Sequence, residues 1–98
     1  MTETPIHPIA FKCKDFVFYV EEYKGMHLLH LKINRFSPTV FKKMKKNAHK
    51  IAKRYGIIFG YGEEKSTYKL MEMAGFKDSG VYIYHSNNQI RRTLCLQQ

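Results

Sequence analysis

Seven cationic side chains crowd one short stretch of this 98-residue chain. Lys42, Lys43, Lys45, Lys46, Lys50, Lys53 and Arg54 follow one another with no Asp or Glu between them. The chemistry open to such a row is anion binding. It could track a phosphate backbone, displacing counterions at each contact, or meet the carboxylates of an acidic protein surface. Like charges at i,i+4 repel by about 0.2–0.5 kcal/mol per pair. The row therefore carries a cost that solubility alone does not require.

The other reactive residues form no comparable group. His27 and His30 lie an odd number of residues apart in a strand-like segment, so they face opposite sides and cannot share a metal. His7, His49 and His85 stand alone, and no metal site is expected. Cys13 and Cys95 match no zinc spacing and are expected as buried free thiols. No serine sits in a nucleophile elbow. Glu63-Glu64 could supply a general base, or simply favour the positive end of a helix. Tyr19, Tyr23, Tyr61, Tyr68, Tyr82 and Tyr84 could stack bases, but they do not interleave with the cations as in an RNA-reading strand. They are expected to fill a core or cover a sheet.

Local signals define the elements that must carry these residues. Asp15–Glu22 is rich in aromatic and β-branched residues and reads as a strand. Tyr23-Lys24-Gly25 is a turn, and Met26–Ile33 a second strand with Leu29, Leu31 and Ile33 on one side. Ser37 suits an N-cap and Pro38 the first helical position, opening a helix that runs to Tyr55 and stops at Gly56. Its apolar stripe is Phe41, Met44, Ala48, Ile51, Ala52 and Tyr55, with the cations opposite. Ile57–Tyr61 is a short strand. Ser66–Ala74 is a second helix closed by Gly75, with Phe76 expected to pack back on Met71. Val81–Tyr84 and Arg91–Leu96 are strands around a turn at Ser86-Asn87-Asn88-Gln89. The expected class is α/β (α+β), one mixed sheet in the order β-β-α-β-α-β-β. Residues 1–14 are expected as an N-terminal arm and 15–98 as a single domain.

This order, with the Gly75-Phe76 pair closing a short helix, resembles the acyl-CoA-binding half of a GNAT-type acetyltransferase. The resemblance spans about Asp15 to Leu96 and lacks that family's first strand and first two helices. Shortened GNAT-like halves of this kind resemble small internal virion proteins of podophages, which implies a phage or mobile-element setting. The resemblance implies acetyl-CoA at the start of the long helix, yet the family's phosphate-loop glycines fall near Thr39 and Phe41. Arg35 lies one residue out of register with the family's arginine. The family's general-acid tyrosine aligns with Met71, its asparagine with Glu64 and its alanine with Thr67.

The balance of 17 Lys and Arg against 8 Asp and Glu, +9 in all, favours acidic partners. The favoured expectation is a non-catalytic GNAT-like accessory protein. It would bind a protein complex, as an anti-defence inhibitor would, or nucleic acid, through Lys42, Lys43, Lys45, Lys46, Lys50, Lys53 and Arg54. One alternative is a divergent N-acyltransferase. Arg35, Ser37 and Thr39 would hold the pyrophosphate of acetyl-CoA, with Glu63 or Glu64 as base. Another is a small internal virion component. The first strand, without a neighbour on one side, is expected to invite a homo-oligomer or a protein partner. Met1–Pro8 is not signal-like and no apolar run reaches a membrane span. The expected place is therefore the host cytoplasm or a virion, with no membrane partner.

Overall fold

One central hairpin, its first strand buried at Phe16, Val17, Phe18 and Val20, organises the chain. The computed structural model describes residues 8–62, 64–84 and 89–97. β1 is Ile9–Lys12, β2 Phe16–Tyr23, β3 Met26–Ile33, α1 Pro38–Tyr55, β4 Ile57–Gly60, α2 Lys65–Met73, β5 Lys77–Tyr84 and β6 Ile90–Gln97. The six strands form one mixed sheet in the order β1-β2-β3-β4-β6-β5. The mixed α+β class holds, with one strand more than the residue pattern indicates.

That extra strand corrects two expectations. Ile9–Lys12 does not belong to an arm: Phe11 pairs with Phe18 and Lys12 with Val17 in antiparallel register. The edge of β2, expected to lie open, is therefore covered. The strand is short because its pairing is interrupted between Ile9 and Phe11, and four residues leave little periodicity to read. A short, irregular edge strand is also a poor template for a further chain. The Ser86-Asn87-Asn88-Gln89 turn, apart from Gln89, falls outside the described residues.

The β2–β3 hairpin closes on Tyr23 opposite Met26. Its two-residue loop places both Lys24 (φ 49°) and Gly25 (φ 82°) in the left-handed region, which matches the strand twist in a tight hairpin. Two crossovers then build the rest. β3 and β4 are parallel, joined through α1. β4 and β5 both run antiparallel to β6, so α2 carries the chain over β6 to the far edge. Both crossovers move in the same direction along the sheet, and right-handed connections then place both helices on one face. The core lies between that face and the helices. Phe16, Phe18 and Val20 from β2 meet Val40, Met44, Ala48, Ile51 and Ala52 from α1, with Ile58, Leu94 and Leu96 beneath. Val40 is buried where the expected stripe names Phe41, which is half-buried beside it.

Candidate functional site

The basic face rests on a well-anchored helix. Ser37 caps α1 by accepting from the Val40 N–H at 3.1 Å, and Gly56 ends it at φ 86°. At 3.6 residues per turn, the buried side centres on Met44, Ile51 and Tyr55. Lys42, Lys46 and Lys53 point directly away, and the remaining cations spread over about half of the circumference. Lys42, Lys43, Lys45, Lys46, Lys50, Lys53 and Arg54 are all exposed. None of the seven forms an ion pair with a described carboxylate; the described pairs are His30 with Glu21 and Arg92 with Asp78. The sequence-predicted binding residues therefore lie on one continuous surface, with no ion pair to any described carboxylate. Lys45 sits on its flank and lines a neighbouring cleft.

The N-terminus of the same helix is built differently from a phosphate cradle. Such a cradle needs several free backbone donors and no bulk in front of them. Here Pro38 has no N–H, and the Val40 N–H is taken by Ser37. Phe36 and Phe41 approach each other at 6.4 Å between ring centroids. They occupy the positions just before the N-cap and in the second turn, which is the hydrophobic staple arrangement. Arg35 is exposed, and its backbone N–H donates to the Asp15 carbonyl at 3.0 Å. Ser37 is thus taken up as the cap, and Thr39 is exposed in the first turn.

Between α1 and α2 lies a cleft of about 930 Å³, floored by β3 and the end of β4. It exists because the parallel strands separate. They share a single registered pair, Leu28 with Phe59. β4 is only four residues long, whereas β3 is eight. The Asn34 N–H donates to the Asp15 carbonyl at 2.8 Å. Alternation along the ladder then turns the even residues of β3 toward β2 and the odd ones toward β4. The pair at Leu28 engages the flanking His27 and Leu29. Leu31 and Ile33 present backbone N–H and C=O groups to a gap where no described strand runs. Their side chains, and that of Phe36, remain 38%, 41% and 53% exposed at the cleft mouth. Residue patterns place Leu29, Leu31 and Ile33 on one side but give no sign that two of them stay open. The readable signal is the mismatch in length between β3 and a following strand interrupted by Gly60 and Gly62.

Close packing holds the far wall of the cleft. α2 ends in a Schellman arrangement: Phe76 N–H donates to Met71 C=O and Gly75 N–H to Glu72 C=O, both at 3.0 Å. A Cβ on Gly60 would stand 2.9 Å from Met71 Sδ, so glycine is what lets α2 sit on β4. Met71, aligned with the resembled family's proton donor, is instead packing. Glu64 is the N-cap residue of α2, makes no side-chain cap bond and lines the cleft. Glu63, the other proposed base, lies outside the described residues. Tyr68 donates to the Arg92 carbonyl at 2.7 Å, with the Arg92 guanidinium over its ring.

His27 and His30 face opposite sides, as expected, whereas His7 and His85 lie outside the described residues. His27 stacks on Tyr55 at 4.4 Å on the helix-bearing face, whereas His30 bonds Glu21 at 2.7 Å on the other. His49, with no role indicated by its position in sequence, donates through Nε2–H to the Ala74 carbonyl at 2.9 Å, tying α1 to the end of α2. Cys13 and Cys95 are free and half-buried. Among the described residues, no three His, Cys, Asp or Glu side chains gather as a metal ion would need, and no helix is long and apolar enough to cross a membrane.

Comparison with known proteins adds no relative: no family model, no curated protein and no solved structure matches the chain.

Proposed function

We propose that this chain is a non-catalytic, GNAT-like accessory protein that works by docking the lysine face of α1 onto an acidic protein partner. The observation that carries the reading is the run of seven exposed cations on one helix, none paired with a described carboxylate. Natural surfaces usually intersperse the two signs. A single-sign field instead steers an oppositely charged partner and raises its association rate. Protein is favoured over nucleic acid because the same helix flank, at Lys45, borders an exposed apolar cleft. A phosphate backbone has no use for such a cleft.

The parallel strands that part at a cleft support the GNAT-like reading of the scaffold. The residues do not fit the cofactor of that family. The helix start lacks free donors at Pro38 and Val40 and is closed by Phe36 and Phe41, and Met71 has no proton to give. The resemblance to shortened GNAT-like halves of podophage virion proteins suggests a phage or mobile-element setting; the accessory or inhibitory role rests on the lost cofactor site and the basic helix, and a virion part is the alternative.

The test compares the native chain with a variant carrying Lys42→Glu, Lys43→Glu, Lys46→Glu and Lys50→Glu. Poly-L-glutamate and a short DNA duplex are titrated into each at several salt concentrations. The expected outcome is poly-glutamate binding by the native chain only, with unchanged circular dichroism and cooperative melting in the variant. Equal binding by both proteins overturns the reading. Tight duplex binding, with a steep salt slope that the variant loses, transfers the role to nucleic acid. Calorimetry with acetyl-CoA at millimolar concentration is expected to give no heat; saturable heat would restore the enzyme reading.

A further inference from the structure

We infer that the gap between β3 and β4 is a receptor for an extended acidic peptide, which enters as an added strand beside Leu31 and Ile33. The inference rests on the acidic-protein reading of α1 and names the form its partner takes. Three observations converge. The backbone groups of Leu31 and Ile33 face the gap with no described strand alongside. An unpaired strand edge binds another chain through its main-chain N–H and C=O groups, and adjoining pockets select alternate side chains.

The second observation is the asymmetry of the two sides of the gap. On the helix side the cleft offers Phe18, Leu29, Phe41, Met44, Leu70 and Met71. On the other side stand His30 and Tyr61, with ring centroids 6.0 Å apart. Successive residues of an entering strand would therefore meet apolar and polar surroundings in turn. The cleft's volume of about 930 Å³ is at the upper end of ligand pockets, which run to about 1,000 Å³. That is room enough for several side chains of an extended segment.

The third observation is charge. Lys45 lines the α1 wall and continues into the row that includes Lys42 and Lys46. Glu64, on the α2 wall, is the one described carboxylate lining the cleft. Complementarity selects acidic side chains on the flank of the peptide that runs along α1. The occupant is thus an extended segment with apolar residues at alternate positions and Asp or Glu beside them.

A phage-displayed library of random dodecapeptides, selected on the full chain, supplies the probe. The expected winners alternate apolar residues and carry Asp or Glu. The best is then synthesised three times: native, N-methylated on alternate backbone nitrogens along one edge, and N-methylated along the other. Methylation on one edge should weaken binding about tenfold or more, and on the other edge should change it little, because each lost main-chain bond leaves a buried group unsatisfied. Amide exchange at Leu31 and Ile33 should slow in the complex. Ile33→Pro, which removes a donor facing the gap and no bond to β2, should also weaken binding about tenfold. The N-methylated peptides keep the test open if that variant does not fold.

Failure to enrich any peptide overturns the inference, as does binding indifferent to N-methylation on either edge. Displacement of the peptide by coenzyme A would hand the gap to a cofactor. The four-lysine variant separates the two readings. Binding that survives lysine reversal but not N-methylation keeps the gap and refutes the role of the lysines. Binding lost to lysine reversal but indifferent to methylation does the opposite.

Discussion

Ser37, Phe36 and Phe41 decide what the start of α1 can hold. In a glycine cradle the first-turn donors wait for phosphate; here Ser37 takes one of them and the two phenylalanines clasp across the cap. The group is structural, so its loss should be felt as stability. Ser37→Ala should cost about 1 kcal/mol, a fall of roughly 4–8 °C in melting temperature for a chain of this size, read by calorimetry. Gly75→Ala belongs to the same scale. Gly75 sits at φ 105°, and an added Cβ would stand 3.3 Å from His49 Nε2. His49 holds the carbonyl of the preceding residue, so the clash strikes the tie between the helices. The expected cost is about 1–3 kcal/mol, from left-handed strain together with that displacement. A Gly75→Ala variant that melts like the native chain would show that the α1–α2 tie is loose.

At the scale of elements, α1 is tuned against its own stability. Lys42, Lys46, Lys50 and Arg54 stand four apart along one line of the helix, and each adjacent pair costs about 0.2–0.5 kcal/mol. Lys46→Glu turns two of those repulsions into attractions. It should raise stability by about 0.8–2 kcal/mol while weakening partner binding, a trade found where a surface is kept for function. An unchanged or lower melting temperature would mean that the row carries no strain to relieve. The helices and the central hairpin were legible because local chemistry writes them: Ser37-Pro38 and Gly56 bracket α1, and Gly75-Phe76 closes α2. The four residues of β1 were not legible, since they become a strand only by lying against Phe18 and Val17. The opening between β3 and β4 was not either, because it depends on a pairing between segments that α1 separates. β5 extends back to Lys77, before the expected start at Val81. Its irregularity between Asp78 and Tyr82 is held by side chains: Ser79 Oγ accepts from the Val81 N–H, and buried Thr93 donates to the Val81 carbonyl at 2.8 Å. A bulge of this kind bends an outer strand away from further pairing.

For the whole molecule the decisive quantity is how its charge is distributed. Seven of the 17 cations lie on α1 and none of the 8 acids does. The +9 net charge is therefore a one-sided field as well as a total. Two properties should respond to salt in opposite directions. The Debye length shortens from about 8 Å near 0.15 M to about 3 Å at 1 M, so screening strengthens. Repulsion within the lysine row weakens over that range, so the melting temperature of the native chain should rise. Attraction to an acidic partner weakens over the same range, so poly-glutamate affinity should fall. The four-lysine reversal brings the chain close to neutral and should flatten both responses together. Calorimetry and titration at matched salt concentrations read the two slopes. If reversal flattened the binding slope but left the stability slope, the repulsion would arise from cations elsewhere, such as Lys32, Lys65 or Lys69. If it flattened stability alone, the lysine row would be a strained surface with no partner, and the docking role proposed for α1 would fall.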